Sequence, residues 1–193
     1  MKILHYILGF PPMRSGGLTR YAVDLMLAEK DLGHAVQAIY PGNRFPFAKK
    51  MRVQETTPFK GVSCYKIKNA LPLPLLHGIQ NAACFQVSKT DGYERFNSFF
   101  QENQFDVLHV HTMMGMPVSF LLAARNNGVK VVYTSHDYFG LCPRVNFVDC
   151  FGNVCDCAAP DKCARCNKNA KSIWYLWLRN SRLLIIMKKL FKR

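Results

Sequence analysis

Gly16-Gly17 stands between an apolar run and a run with helical periodicity. A glycine pair at a strand-to-helix junction lets backbone approach a phosphate closely. The helix N-terminus behind it offers unpaired N–H groups and positive potential. A plain tight turn would use the same two residues. The surroundings match neither the dinucleotide fingerprint G-x-G-x-x-G nor a Walker loop, because no Lys-Ser/Thr follows. His111 and His136 each follow a predicted strand. An imidazole there can donate a hydrogen bond, move a proton or bind a metal, and it can equally be a satisfied structural residue. His109 is expected to point away from His111 and to be structural. No acidic residue at metal-ligand spacing accompanies these histidines.

Six of the eight cysteines fall between residues 142 and 166. Cys163-Ala164-Arg165-Cys166 is a C-x-x-C knuckle, which suits half of a tetrahedral zinc site. Cys142, Cys150, Cys155 or Cys157 can supply the remaining thiolates. The candidate structural zinc set is Cys142, Cys155, Cys163 and Cys166. The spacing does not match a two-knuckle ribbon, so a disulfide pair and free thiols in a folded loop stay open. In a reducing compartment such a cluster more often binds metal or is structural than forms a disulfide framework.

The elements that must position these groups alternate. Residues 2–8 read as a buried strand and 18–32 as a helix stopped by Gly33, with 35–40 as a second strand. Strand, glycine loop, helix, strand is a βαβ unit that opens a parallel sheet. Residues 43–80 are less regular, with a strand over 62–67. A helix is expected over 93–103, a strand over 105–111, a helix over 117–126 with proline at its start, and a strand over 129–134. The fold class expected is therefore α/β, a Rossmann-like, doubly wound, mostly parallel sheet. Ligands of such sheets bind outside the carboxyl ends of the strands, where the glycine pair, His111 and His136 all fall. A Cys-rich loop (141–169) and a helix (172–190) follow. The domains expected are 1–170 and a basic amphipathic helix, 171–193.

The 193 residues are 49% hydrophobic and 20% charged, which excludes a disordered chain. Twenty-six Lys/Arg against twelve Asp/Glu give +14. Nine of those bases and no acid lie between Arg165 and Arg193, which leaves only +5 for residues 1–164. This is a mildly basic domain with a basic tail, not a uniformly nucleic-acid-coating protein. No apolar run approaches the roughly 18–20 residues that span a bilayer, and the N-terminus reads as a strand rather than a signal peptide. A cytoplasmic location is expected. On a helical wheel Ile173, Leu176, Trp177, Leu183, Leu184, Met187, Leu190 and Phe191 share one arc opposite six Lys/Arg. That arrangement suits an interfacial helix on an anionic membrane, or a domain helix packed on the sheet with an exposed basic face.

Four motifs occur in order: Phe10-Pro11-Pro12 with Gly16-Gly17, Leu32-Gly33-His34-Ala35-Val36, Phe105-Asp106-Val107-Leu108-His109-Val110-His111, and Thr134-Ser135-His136-Asp137-Tyr138. Together they resemble the N-terminal domain of family 4 glycosyltransferases, over about residues 1–170. The resemblance implies one half of a GT-B fold and transfer of a sugar from a nucleotide-diphosphate donor to a glycan or lipid-linked acceptor. It implies that the Gly16-Gly17 loop closes over the donor diphosphate and that His136 is catalytic, hydrogen-bonding the transferred sugar. Arg14, His111 and Asp137 become candidate substrate-binding residues. It also implies a second domain with an E-x7-E acidic pair and basic phosphate ligands. The chain ends before such a domain, so a truncated form, inactive alone, is expected. Surface-polysaccharide or glycolipid synthesis at the inner face of a membrane is the expected setting. The rival reading is a zinc-knuckle, basic-tailed module that binds nucleic acid. The βαβ order and the lack of aromatic-basic interleaving outside the tail make nucleic acid the weaker partner.

Overall fold

The computed structural model describes residues 1–43, 50–74, 92–156, 159–179 and 181. Cys157 and the expected tail helix beyond Arg179, apart from Ser181, lie outside the described residues. The chain divides into two units, Met1–Leu71 with Val87–Thr134, and Pro72–Gln86 with Ser135–Arg193. The boundary expected at residue 170 falls inside the second unit.

The first unit carries β1 (Lys2–Tyr6), α1 (Gly17–Asp31), β2 (Ala35–Pro41), β3 (Arg52–Phe59), β4 (Val62–Lys68), α2 (Tyr93–Asn103), β5 (Val107–Val110), α3 (Val118–Asn126) and β6 (Lys130–Tyr133). The strands form one sheet in the order β3-β4-β2-β1-β5-β6. Every pairing is parallel except β3 with β4. This is the expected Rossmann-like α/β sheet.

Side-chain alternation along β1 assigns the two faces. Leu4 and Tyr6 join a core with Phe96, Phe99 and Phe100 of α2, Phe105 and Phe120 of α3. Ile7 continues the opposite face, where Ala22, Val23 and Met26 of α1 pack with Val36 and Ala38 of β2. Helices thus cover both faces, which is why β1 is buried nearly throughout. From β1 the chain winds through α1 to β2, then crosses through α2 to β5 on the other side of β1. The winding reverses between β1 and β5, so their carboxyl ends flank the crevice where such sheets bind ligands.

Strand β3 carries no apolar alternation that marks a strand in the sequence. It is polar, largely exposed and interrupted by Pro58, features that an edge strand tolerates and a central one does not. Lys60-Gly61 closes the hairpin with φ of 49° and 73°. Positive φ at both central residues is what the twist of a two-residue hairpin demands.

The second unit contains α4 (Pro160–Cys166) and α5 (Ile173–Arg179). Helix α4 forms inside the segment expected to be a loop, with a proline at its start. In α5 Leu176 is fully buried while Trp174 and Leu178 are exposed. No helix of the described residues is long and apolar enough to cross a membrane.

Candidate functional site

The glycine loop leaves β1 on the side of the crevice. Phe10 anchors it, its ring stacked on Phe59 at 4.2 Å and edge-on to Tyr40 at 5.8 Å. The Phe10 carbonyl accepts hydrogen bonds from the Met13 and Arg14 N–H groups at 3.1 and 3.0 Å. Half-buried Arg14 then runs beside Gly9, where a Cβ would stand 3.1 Å from the Arg14 Cγ. Gly16 sits at the N-cap of α1 with φ 124°, a conformation L side chains rarely adopt. No side chain caps α1, and its first turn holds no acidic residue. A Cβ on Gly16 or Gly17 would meet nothing within 4 Å. The positive potential of the α1 N-terminus is therefore uncompensated by a carboxylate in its first turn.

The histidines gather behind this loop, on the α1 face of the sheet. The register pairs His5 of β1 with His109 of β5. His111 follows one residue after β5, its N–H donating to the Tyr6 carbonyl at 3.0 Å. His109 does not point away from His111, contrary to the expectation from the sequence. Residues two apart on a strand share a face, and the two rings stack with centroids 4.3 Å apart. His5 Nε2 lies 2.6 Å from Glu29 Oε2 on α1, and His5 Nδ1 lies 3.0 Å from His111 Nε2. His109 Nε2 lies 2.8 Å from Thr134 Oγ1. Tyr21 of α1 sets its ring edge-on to His111 at 5.9 Å.

Burial, with a smaller contribution from His109, lowers the His5 pKa to about 3. Burial also raises the Glu29 carboxyl. His5 is thus neutral at pH 7. When Glu29 is ionised it can only accept, so His5 donates from Nε2 and accepts at Nδ1 from His111. The His111 side chain is enclosed in this network, 1% exposed, so it does not present itself at the rim as a candidate substrate ligand would.

His136 follows β6 by three residues and belongs to the second unit. It is half-buried, and its pKa is lowered by burial while Asp137 pulls it back up. Asp137 shapes the turn: its Oδ1 accepts from the Phe139 N–H and its carbonyl from the Ser135 hydroxyl, each at 2.9 Å. The carboxylate is therefore engaged in holding backbone beside His136.

The cysteines do not converge as a tetrad among the described residues. Desolvation first, and then the neighbouring Cys166 thiol, raise the Cys150 thiol. Burial pushes the Cys142 thiol up, but backbone N–H groups of Arg144, Phe147, Asn146 and Val145 bring it below its ordinary value. Among the described residues the group of His, Cys, Asp or Glu close enough to share an ion is His5, His109 and His111.

Compared with known proteins, residues 15–182 match the model of Glycosyltransferase Family 4. The chain belongs to that family. The catalytic domain of starch synthase IV from Arabidopsis thaliana, bound to ADP and acarbose, is similar at 16% identity and a TM-score of 0.41. The alignment covers 71% of this chain and 34% of that one, so this chain spans about a third of that structure's length. No curated protein matches.

For a glycosyltransferase family 4 chain, two features were missed in sequence. Glu29 reaches His5 from 24 residues away, and only the packing of α1 brings it there. Glu94 and Glu102 have the E-x7-E spacing, yet they lie on α2, whose Phe96, Phe99 and Phe100 bind it to the other face of the sheet. Glu102 lines a groove with Arg52, Glu55 and Arg95 there. The spacing alone does not make them a donor-side pair.

Proposed function

We propose that this chain supplies the acceptor-side half of a GT-B glycosyltransferase. The enzyme would move a sugar from a nucleotide-diphosphate donor to a glycan or lipid-linked acceptor in polysaccharide or glycolipid synthesis. The observation that carries the reading is the bare N-terminus of α1. Gly16 takes a backbone conformation that favours glycine, no side chain among the described residues caps the helix, and a Cβ on Gly16 or Gly17 would meet nothing within 4 Å. These are the features an anion-binding helix start needs. Arg14 adds a positive charge in the same loop.

His136 is assigned to the sugar. A half-buried imidazole with a lowered pKa is neutral at pH 7 and can donate one hydrogen bond as oxocarbenium character develops. Asp137 positions it by fixing the turn rather than by touching substrate. Catalysis needs preorganised groups on both sides of a cleft, so these 193 residues are expected to turn over only with a donor-side domain. The test is direct. Titrating the chain with UDP, ADP and GDP should shift the amide signals of Gly16, Gly17 and Leu18 ahead of all others. No movement of these signals at millimolar nucleotide would reject the assignment.

The basic C-terminal region is assigned to an anionic membrane surface at the inner face of a membrane. Support comes from nine bases without an acid after residue 164 and from exposed Trp174 and Leu178 one turn apart. Sedimentation with anionic vesicles should retain the full chain at low salt. Equal partitioning by a chain ending at Lys171 would remove this part of the proposal.

A further inference from the structure

We propose that His5, His109 and His111 form a binding site for a divalent transition-metal ion of the zinc type, distinct from the diphosphate loop and from the cysteines. Three observations carry it. One ring nitrogen from each histidine lies within 4.8 Å of the others. The backbone places them: His5 and His109 are register partners on adjacent strands, and His111 lies two residues further along the same face. Second, the His5 Nδ1 to His111 Nε2 separation is 3.0 Å. Two ligands on one tetrahedral ion with bonds of about 2.0–2.1 Å stand about 3.3 Å apart, so the pair needs to open only slightly.

Third, outer partners are already in place. A metal-bound imidazole characteristically gives its other ring N–H to a carboxylate or another oxygen, which fixes its tautomer and orientation. Glu29 Oε2 lies 2.6 Å from His5 Nε2, which leaves Nδ1 for the ion. Thr134 Oγ1 lies 2.8 Å from His109 Nε2, a second oxygen already beside the cluster. His111 would bind through Nε2, the atom that now meets His5 Nδ1. The Glu29 carboxylate offsets part of the ion's charge.

Imidazole ligands select zinc, copper or nickel over magnesium or calcium. The rings are now stacked, 16° apart for His5 and His111 and 26° for His109 and His111. Binding must fan them by rotation of their side-chain torsions. The ion would tie β1 to β5 and, through Glu29, to α1.

The alternative is a purely hydrogen-bonded histidine stack, and the experiment separates the two. The full chain carrying Cys163→Ser and Cys166→Ser, which removes the competing thiolate knuckle, is titrated with Zn²⁺ and Co²⁺. The expected result is one equivalent bound, a visible Co²⁺ spectrum without thiolate charge-transfer bands, and shifted ring-nitrogen NMR signals of His5, His109 and His111. His109→Asn, at a half-buried position, should weaken Zn²⁺ binding at least about tenfold, as should Glu29→Gln acting from outside the ligand set. The ring-nitrogen signals decide the matter without any histidine variant, should one fail to fold. Unchanged histidine signals at excess Zn²⁺, or binding insensitive to His109→Asn in a chain that folds, would overturn the proposal.

Discussion

The two faces of the sheet are built from different chemistry. The face under α2 and α3 is aromatic: Phe96, Phe100 and Phe120 are each no more than 1% exposed, and Phe96 and Phe100 meet Phe120 edge-on and tilted. The face under α1 is smaller in side-chain volume and carries His5, His109 and His111 with Glu29 and Thr134. Both faces belong to the same six strands. The difference shows which one supplies stability and which one has spent stability on polar groups that must all find partners.

The largest expected effect lies on the aromatic face. Phe120→Ala removes a ring packed against Tyr6, Phe96 and Phe100. It should lower the unfolding free energy by about 3–5 kcal/mol, read by urea denaturation at pH 7.5. A loss below about 1 kcal/mol would mean that this face is not the main core.

A smaller effect, on the histidine face, depends on pH. The folded chain holds His5 near pKa 3, whereas the unfolded chain protonates it near 6.5. The unfolded state therefore binds the extra proton, and stability present above pH 6.5 is lost as the pH falls toward 3. The slope is at most roughly 1.4 kcal/mol per pH unit for one proton. Glu29 works in the other sense. Its raised carboxyl takes up a proton earlier in the folded chain than in the unfolded one, which offsets part of the loss. The groups around His5 are Glu29 from α1 and His109 and His111 from β5. Urea midpoints of the metal-free chain at pH 7.5, 6.5 and 5.5 should decline, and His5→Gln should flatten the decline. An identical pH profile for parent and His5→Gln would refute this origin.

The smallest effect on stability comes at the loop that the α1 face supports. Gly17 is the first residue of α1, and a Cβ there meets nothing. Gly17→Ala should leave stability unchanged or raise it by up to about 0.5–1 kcal/mol. The same methyl intrudes on the open approach, so nucleotide-induced amide shifts should weaken. Unimpaired nucleotide binding in Gly17→Ala would show that the ligand does not approach there.

The alternation of strand and helix was legible because apolar periodicity is local. β1, α1, β2, α2, β5, α3 and β6 were each expected within a few residues of where they lie. β3 was not, because its stability comes from pairing with β4 and a glycine-containing turn rather than from its own apolar residues. The glycine loop was legible from Gly16-Gly17 and the helix after it. The histidine cluster was not, since His5 and His111 are 106 positions apart and meet through the β1–β5 register. Two clues were present in the sequence. His5 interrupts an apolar strand, and His109 and His111 are spaced as neighbours on one face.

Helix α1 is fastened at one end and bare at the other. Near its C-terminus Glu29 is bonded to a fully buried histidine, while a Cβ on Gly16 or Gly17 would meet nothing within 4 Å. Amide hydrogen exchange along this one helix should therefore run as a gradient, fast in the opening turn and slow toward Glu29, where opening requires the sheet contact to break. The protein thus gains an adjustable tip on a fixed shaft.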